Sequence, residues 1–294
     1  MPLAIFDMDG VLYRGAQVLP YAHETLERLR RARWQVFFAT NNSTATRDEY
    51  VERLRSLGLG GDREHVVTSA YATAHHLERR DPMPRDVLVV GAEALRSEIR
   101  SVGIPVRDAG ELPGLRPPAA AAADGVSPSA MRMYLTSLDL PPPADTVVVG
   151  LDLHLTYAKL AEAQRAILAG AFFVASNKDR AYPVEGRFLP GAGAIVAALE
   201  VATGRPALCI GKPEPFLFQE AIRRAGGQDG RVVVVGDSTD YDMVAAHRVG
   251  ATGVLILTGL TAEDAAERAS GDARPDHVVR SLEELFHLSE FGGA

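Results

Sequence analysis

Short apolar runs recur along this chain, each ending in polar or glycine-rich residues and followed by a stretch of helical periodicity. Leu3–Phe6, Gln35–Ala39, Val66–Thr68, Val87–Val90, Thr146–Val149, Phe172–Ala175, Ala207–Ile210, Val232–Val235 and Gly253–Leu257 read as strands, and several of them are apolar throughout rather than alternating. A strand apolar on both faces has to be covered on both faces, which is the signature of a parallel sheet. Helical spacing fills the gaps, over residues 21–31, 47–57, 70–78, 92–101, 157–169, 193–203, 214–225 and 243–249. Strand and helix in alternation fold as α/β layers with helices on both sides of the sheet. A chain of 294 residues, 47% hydrophobic and 23% charged, is long enough to cover such a sheet in one large or two modest domains.

The alternation is interrupted once. From Ala109 to Ala144 the chain is rich in Pro and Ala, and this stretch is expected to form a loop rather than part of a core. Around it, residues 82–180 keep their own strand and helix alternation and are expected to form a smaller inserted domain, hinged at Asp81-Pro82-Met83-Pro84. Residues 1–81 and 181–294 then make the main domain. The net charge of −7 argues against a non-specific nucleic-acid binder. Lone Cys209 rules out an internal disulfide and, sitting in an apolar run, reads as a buried structural thiol. No apolar stretch is long enough for a bilayer, and the N-terminus enters a strand at once, so no membrane association and a cytoplasmic setting are expected.

The chemistry gathers where strands end. Asp7-Met8-Asp9-Gly10 follows the first apolar run and places two carboxylates one residue apart at its C-terminal end, where ligands bind in open α/β sheets. Repelling anions there need a cation, and hard oxygen ligands suit Mg²⁺ with phosphate as a further partner. A calcium loop would go on to further oxygen ligands and a Glu at its twelfth position. This chain instead continues Val11-Leu12-Tyr13-Arg14-Gly15-Ala16-Gln17-Val18-Leu19, a short hairpin turning at Gly15.

Three other strand ends carry polar groups. Thr40-Asn41-Asn42-Ser43 can hold phosphate oxygens, or can equally be an N-cap and turn. Lys212, between Gly211 and Pro213, can offset charge on a nucleophile and a phosphoryl oxygen, although a lone lysine is more often a surface one. Asp237, Asp240 and Asp242 follow the apolar Val232–Val235 and can complete a Mg²⁺ site with Asp7 and Asp9, or merely cap the next helix.

In this order the four motifs, Asp7-x-Asp9-Gly10, Thr40-Asn41-Asn42, Lys212 and Gly236-Asp237 with Asp242, resemble those of the haloacid dehalogenase-like phosphatases. Val149-Gly150-Leu151-Asp152, Thr156-Tyr157-Ala158-Lys159-Leu160, Ser176-Asn177-Lys178-Asp179, Pro190-Gly191-Ala192-Gly193 and Leu257-Thr258-Gly259 further resemble the NagD-like, 4-nitrophenylphosphatase branch. The resemblance spans nearly the whole chain, apart from the Pro/Ala-rich stretch and about the last twenty residues. It implies a Rossmann-like core with a class II α/β cap inserted between the second and third motifs, since only a short hairpin separates Asp9 from the first helix. Ser238 and Ser176 stand where many relatives have Asn and Thr.

The resemblance also implies roles. Asp7 would attack phosphorus and form an aspartyl-phosphate, while Asp9 would serve as acid and then base. Asp7, the Asp9 backbone carbonyl and Asp237 would hold Mg²⁺, with Asp242 in the outer shell. Thr40, Asn41, Asn42 and Lys212 would hold the transferring oxygens, and Asn177 and Asp179 at the cap rim would contact the substrate, a small phosphorylated metabolite. A homodimer through the cap is what such relatives suggest. The competing functions are a phosphotransferase or phosphomutase using the same aspartyl-phosphate, although phosphomutases usually carry their cap just after the first motif, and a non-catalytic phosphate binder.

Other residues read as structural. His75 and His76 are adjacent, so on a helix they point about 100° apart and form a solvated face rather than a chelating pair. Pro190-Gly191-Ala192-Gly193 reads as a tight turn opening a helix, and Trp34 as core.

Overall fold

The computed structural model describes residues 1–109, 142–184, 187–227 and 230–292. The chain enters at strand β1 (Leu3–Asp7), turns through a small hairpin β2 (Tyr13–Arg14) and β3 (Gln17–Val18), and continues through α1 (Ala22–Arg31), β4 (Gln35–Thr40), α2 (Arg47–Ser56), β5 (Val66–Thr68) and α3 (Ser69–Glu78). A second block follows, β6 (Val87–Val90), α4 (Glu93–Ser101), β7 (Val106–Asp108), β8 (Thr146–Val149), α5 (Tyr157–Leu168) and β9 (Phe172–Ala175). After a hairpin of β10 (Ala181–Val184) and β11 (Arg187–Pro190) come α6 (Ala192–Thr203), β12 (Leu208–Cys209) and α7 (Phe216–Arg224). The chain closes with β13 (Val232–Gly236), α8 (Val244–Arg248), β14 (Thr252–Ile256), α9 (Glu263–Arg268) and β15 (His277–Val279).

Among the described residues, and apart from the antiparallel hairpins β2–β3 and β10–β11, these strands form two parallel sheets, one of six in the order β15-β14-β13-β1-β4-β5 and one of five in the order β12-β9-β8-β6-β7. The α/β architecture is the one the alternation implies. Successive residues of β1 face opposite sides, so Leu3 and Ile5 pack with α3 and α7 while Ala4 and Phe6 pack with α1 and α2. The first of these clusters runs on into the second sheet through Val87, Val89, Val148 and Val174, so the two sheets share a core. The opposite face of the five-stranded sheet is closed by Ala163, Ile167, Ile195, Val196 and Leu199.

Helix starts are fixed by the residues before them. Thr46 and Glu49 cap α2 reciprocally, and the Thr68 and Thr156 hydroxyls accept from backbone N–H groups at the starts of α3 and α5. The final residues fold back as well: Leu282, Leu285 and Phe291 join the core, and Trp34 stacks on Phe291 at 5.0 Å.

Two expectations need correction. The inserted unit does not stop at residue 180. Helix α6 packs on the five-stranded sheet and β12 pairs with β9, so that layer extends to Cys209 and the main sheet resumes only at β13. His75 and His76 are not on a solvated face either, because α3 is packed between neighbours. His75 meets Tyr71 edge-on at 4.3 Å and His76 meets Phe216 at 4.9 Å, and burial with nearby Arg79 and Arg80 lowers the pKa of His76. The Pro/Ala-rich loop expected over 109–144 lies, apart from its ends, outside the described residues. Cys209 is buried as expected, and burial pushes its thiol up to about 12.

Candidate active site

The site lies where the C-terminal edges of the two sheets meet. From the six-stranded sheet come Asp7 at the end of β1, Thr40 at the end of β4, and Asp237 and Asp242 just beyond β13. From the five-stranded sheet come Asn177 and Asp179 after β9, and Lys212 after β12. Pairing continues past the named strand ends, with Ile210 N–H donating to the Ala175 carbonyl and Gly211 N–H to the Ser176 carbonyl, both at 2.9 Å. That register brings Lys212 to the carboxylates.

Asp7, Asp237 and Asp242 offer oxygens that all lie within 4.8 Å of one another. Lys212 Nζ sits among them, 3.1 Å from Asp7 Oδ2 and 2.7 Å from Asp242 Oδ1. Burial opposes its charge, but Asp242 and Asp7 outweigh burial and hold the ammonium above its ordinary pKa. The Lys212 ammonium does not settle the cluster. Burial first, then the charges of Asp242 and Asp237, raise the Asp7 pKa well above the ordinary value against the pull of Lys212. Asp237 is likewise pushed up to about 7, by burial and by Asp242. Three crowded carboxylates sharing one ammonium are a donor set that a divalent cation would relieve. A loop from the end of the sheet closes over the same group, with Leu260 N–H donating to Asp237 Oδ2 at 2.8 Å. A Cβ built on Gly259 would fall 1.8 Å from that oxygen and one on Gly10 2.4 Å from it, so both positions admit only glycine at this approach.

Asp9 stands apart. Its carboxylate is outside the three-acid group and its side chain is exposed, which leaves it free to exchange protons. Partial burial raises its pKa, and the charges of Arg53 and Arg14 oppose that rise. Neither arginine figured among the sequence candidates, because an exposed arginine on an amphipathic helix or hairpin resembles any solvated one.

The expected phosphate loop is built as an interlocked turn. Asn42 Oδ1 accepts from Thr44 N–H at 2.8 Å and from the Thr44 hydroxyl at 2.7 Å, and Asn42 N–H donates to the Thr40 hydroxyl oxygen at 3.2 Å. Tyr50, buried on α2, has its pKa raised by burial, and the nearby Thr40 side chain opposes that rise. The Asn41 amide is committed to a clasp between the sheets. Its Oδ1 accepts from Lys212 N–H at 2.7 Å, and its Nδ2 donates to Asp179 Oδ1 at 2.7 Å and to the Lys212 carbonyl at 3.0 Å.

The Asn177 amide donates to the Asn41 carbonyl at 2.8 Å from a position only 3% exposed. The expectation that Asn177 lies on a substrate-facing rim is therefore corrected: it is a buried strut beneath the loop. Asp179 is half-buried and paired with Asn41, with burial raising its pKa. Ser176 bonds to Ser43 across the sheets at 3.1 Å, and Ser238 caps the turn before α8 while its N–H donates to Asp242 at 3.1 Å.

This geometry agrees with the comparisons. The family model described as haloacid dehalogenase-like hydrolase matches residues 4–105, and a second, HAD-hydrolase-like, matches 209–285. The chain is 36% identical to Homo sapiens chronophin over 292 residues, 96% of this chain and 90% of the relative. The chain belongs to the haloacid dehalogenase-like hydrolase family. It is also 36% identical to Gallus gallus glycerol-3-phosphate phosphatase, over 97% of this chain and 91% of that protein. Among solved structures, this family member resembles Thermotoga maritima 4-nitrophenylphosphatase with a TM-score of 0.80 at 30% identity, covering 97% of this chain and 96% of that one. It also resembles a Mycobacterium tuberculosis glycerol phosphate phosphatase in complex with magnesium, with a TM-score of 0.78 at 33% identity, covering 96% and 76% of the two chains.

Proposed function

We propose that this hydrolase is a Mg²⁺-dependent phosphatase that cleaves phosphate monoesters of small metabolites, glycerol phosphate among them, through an aspartyl-phosphate on Asp7. The observation that carries the reading is the division of labour between two neighbouring acids. Asp7 is half-buried beside Lys212 and two further carboxylates, while Asp9 is exposed and clear of that cluster. Relatives acting on glycerol phosphate and 4-nitrophenyl phosphate support the substrate class.

Asp7 and Asp237, with the Asp9 backbone carbonyl, would hold the metal, and Asp242 would stand behind them. Bound there, Mg²⁺ supplies the positive charge that lets an anionic carboxylate approach an anionic phosphate. Lys212, 3.1 Å away, orients Asp7 and offsets part of its charge, and the bound cation would complete its ionisation. The Asp7 carboxylate attacks phosphorus; the bond from phosphorus to the ester oxygen breaks, and that oxygen leaves with the electron pair and takes the Asp9 proton. Water then attacks phosphorus and gives a proton to the Asp9 carboxylate, and the Asp7–phosphorus bond breaks to free Asp7 and inorganic phosphate. Positioned proton transfer of this kind contributes about 10²–10⁴-fold.

The test is phosphate release from glycerol phosphate, phosphoglycolate, a nucleoside monophosphate and 4-nitrophenyl phosphate, with Mg²⁺ or with chelator, for wild type beside Asp7→Asn. Metal-dependent release is expected, falling by at least about 10⁴-fold in the variant while its fold persists. A wild type that binds Mg²⁺ yet releases phosphate from none of these esters would overturn the reading.

A further inference from the structure

The segment that carries Asp9 is braced from both flanks. On one side the Arg53 guanidinium lies 4.6 Å over the Tyr13 ring and donates to the Gly15 carbonyl at 2.8 Å. On the other side Arg14 donates to the Thr258 carbonyl, and the Thr258 hydroxyl donates to the Gly10 carbonyl at 2.6 Å. Between these braces Asp9 is bridged to Tyr13, and Gly10 N–H donates to the Tyr13 carbonyl at 2.8 Å. Whatever holds Tyr13 therefore holds Asp9.

Arg53 is well placed to do so. It lies three residues after Tyr50 on α2, so the two side chains leave the same helix face. Tyr50 is buried in the core beneath this helix, and Arg53 reaches the hairpin. The reciprocal cap of Thr46 and Glu49 fixes the start of this helix. The Arg53 guanidinium is spent on the hairpin, on the Gly15 carbonyl and the Tyr13 ring.

We propose that Arg53 is a positioning residue for proton transfer: by gripping the Tyr13 ring and the Gly15 carbonyl it holds the Asp9 carboxylate against the leaving-group oxygen. The inference rests on Asp9 being the general acid of the proposed phosphatase. It predicts an effect that depends on the leaving group. The alkoxide of glycerol cannot depart without a proton, whereas 4-nitrophenolate departs without one. A carboxylate displaced by about 1 Å loses about 100-fold in a positioned step, so only substrates that need the proton should suffer.

The experiment compares kcat/KM, which reports on events up to departure of the alcohol, for both esters in wild type, Arg53→Met and Arg53→Lys, with thermal unfolding to check the fold. Arg53 is exposed, so both variants should fold. Arg53→Met is expected to lose about 10–100-fold on glycerol phosphate and less than about 3-fold on 4-nitrophenyl phosphate. Arg53→Lys keeps the charge without the planar fork and is expected to recover only part of the loss. Equal losses on the two esters, or no loss on either, in a wild type active on both would overturn this inference and leave the phosphatase reading standing. A wild type active on neither ester would instead overturn the reading on which it rests.

Discussion

The two sheets are made from the same kind of strand yet bring opposite chemistry to the edge where they meet. The six-stranded sheet delivers carboxylates, Asp7, Asp237 and Asp242, packed within 4.8 Å. The five-stranded sheet delivers the ammonium of Lys212 and the amide of Asn177, and its Asp179 is tied to Asn41. The three-acid edge is not balanced alone. Charge compensation runs across the junction, so the second sheet completes the site electrically as well as covering it.

The largest effect should follow from emptying the cationic edge. In Lys212→Met, Asp7 and Asp242 lose the ammonium that lies 3.1 and 2.7 Å away. Turnover should fall by about 10²–10³-fold, the usual loss when a donor to developing charge is removed. Metal-free stability at neutral pH should fall by about 3–5 kcal/mol, because the acids stay buried without their partner. Urea unfolding with chelator and steady-state kinetics with Mg²⁺ read the two. A variant as stable as wild type would mean the carboxylate edge balances itself.

The second effect isolates the junction from the chemistry. Arg47 on α2 and Glu98 on α4 join the two sheets by a pair at 3.0 Å whose side chains are 6% and 4% exposed, with Arg47 also lying 3.7 Å over Tyr71. Arg47→Met should cost about 3–5 kcal/mol in urea unfolding, and adding Glu98→Leu should recover most of it, since an apolar replacement of both partners removes the stranded charge. Neither residue touches the site, so kcat should stay within about 3-fold of wild type. A single variant costing under about 1 kcal/mol would show that the stranded Glu98 finds water and that the junction is not dry.

How much of this contrast the sequence displays follows from what each residue needs. Strands buried on both faces, such as Val232–Val235, are legible as continuous apolar runs, and acids just beyond them stand out because nothing else there is charged. The allegiance of β12 is not legible. A two-residue strand has no pattern of its own, and its place beside β9 depends on the pairing of Ile210 with Ala175, a contact between distant segments. The β10–β11 hairpin carries Pro183 and Pro190, which argue against a strand in any local reading. Asn41 and Asn177 were legible as polar groups near the site, but an amide serves a phosphate or a backbone carbonyl equally well, and only packing decides. Arg53 was hidden by its exposure, since its role lies in what it grips rather than in burial.

The gentlest probe of the carboxylate edge is Asp237, which is 3% exposed. Burial and the charge of Asp242 push its pKa up to about 7, against the Leu260 N–H and the more distant Lys212, from an ordinary value of 3.8. The folded protein therefore holds a proton there over a pH range in which the unfolded chain has already released it. For a carboxyl raised in this way, stability is fully present below the unfolded pKa and drains as pH rises through the folded one. Asp7 shifts in the same direction and adds to the trend. Metal-free wild type should thus lose on the order of 2 kcal/mol more between about pH 5 and pH 8 than Asp237→Asn, whose neutral amide has nothing to release. Added Mg²⁺ should restore wild type at about pH 8, do much less at about pH 5 where the carboxyls are protonated, and do little for the variant at either. Denaturant unfolding across pH, first with chelator and then with Mg²⁺, reads all of these. A metal-free wild type whose stability tracks the variant across that range would mean that Lys212 alone balances the three acids, and the two edges would then differ in shape and not in charge.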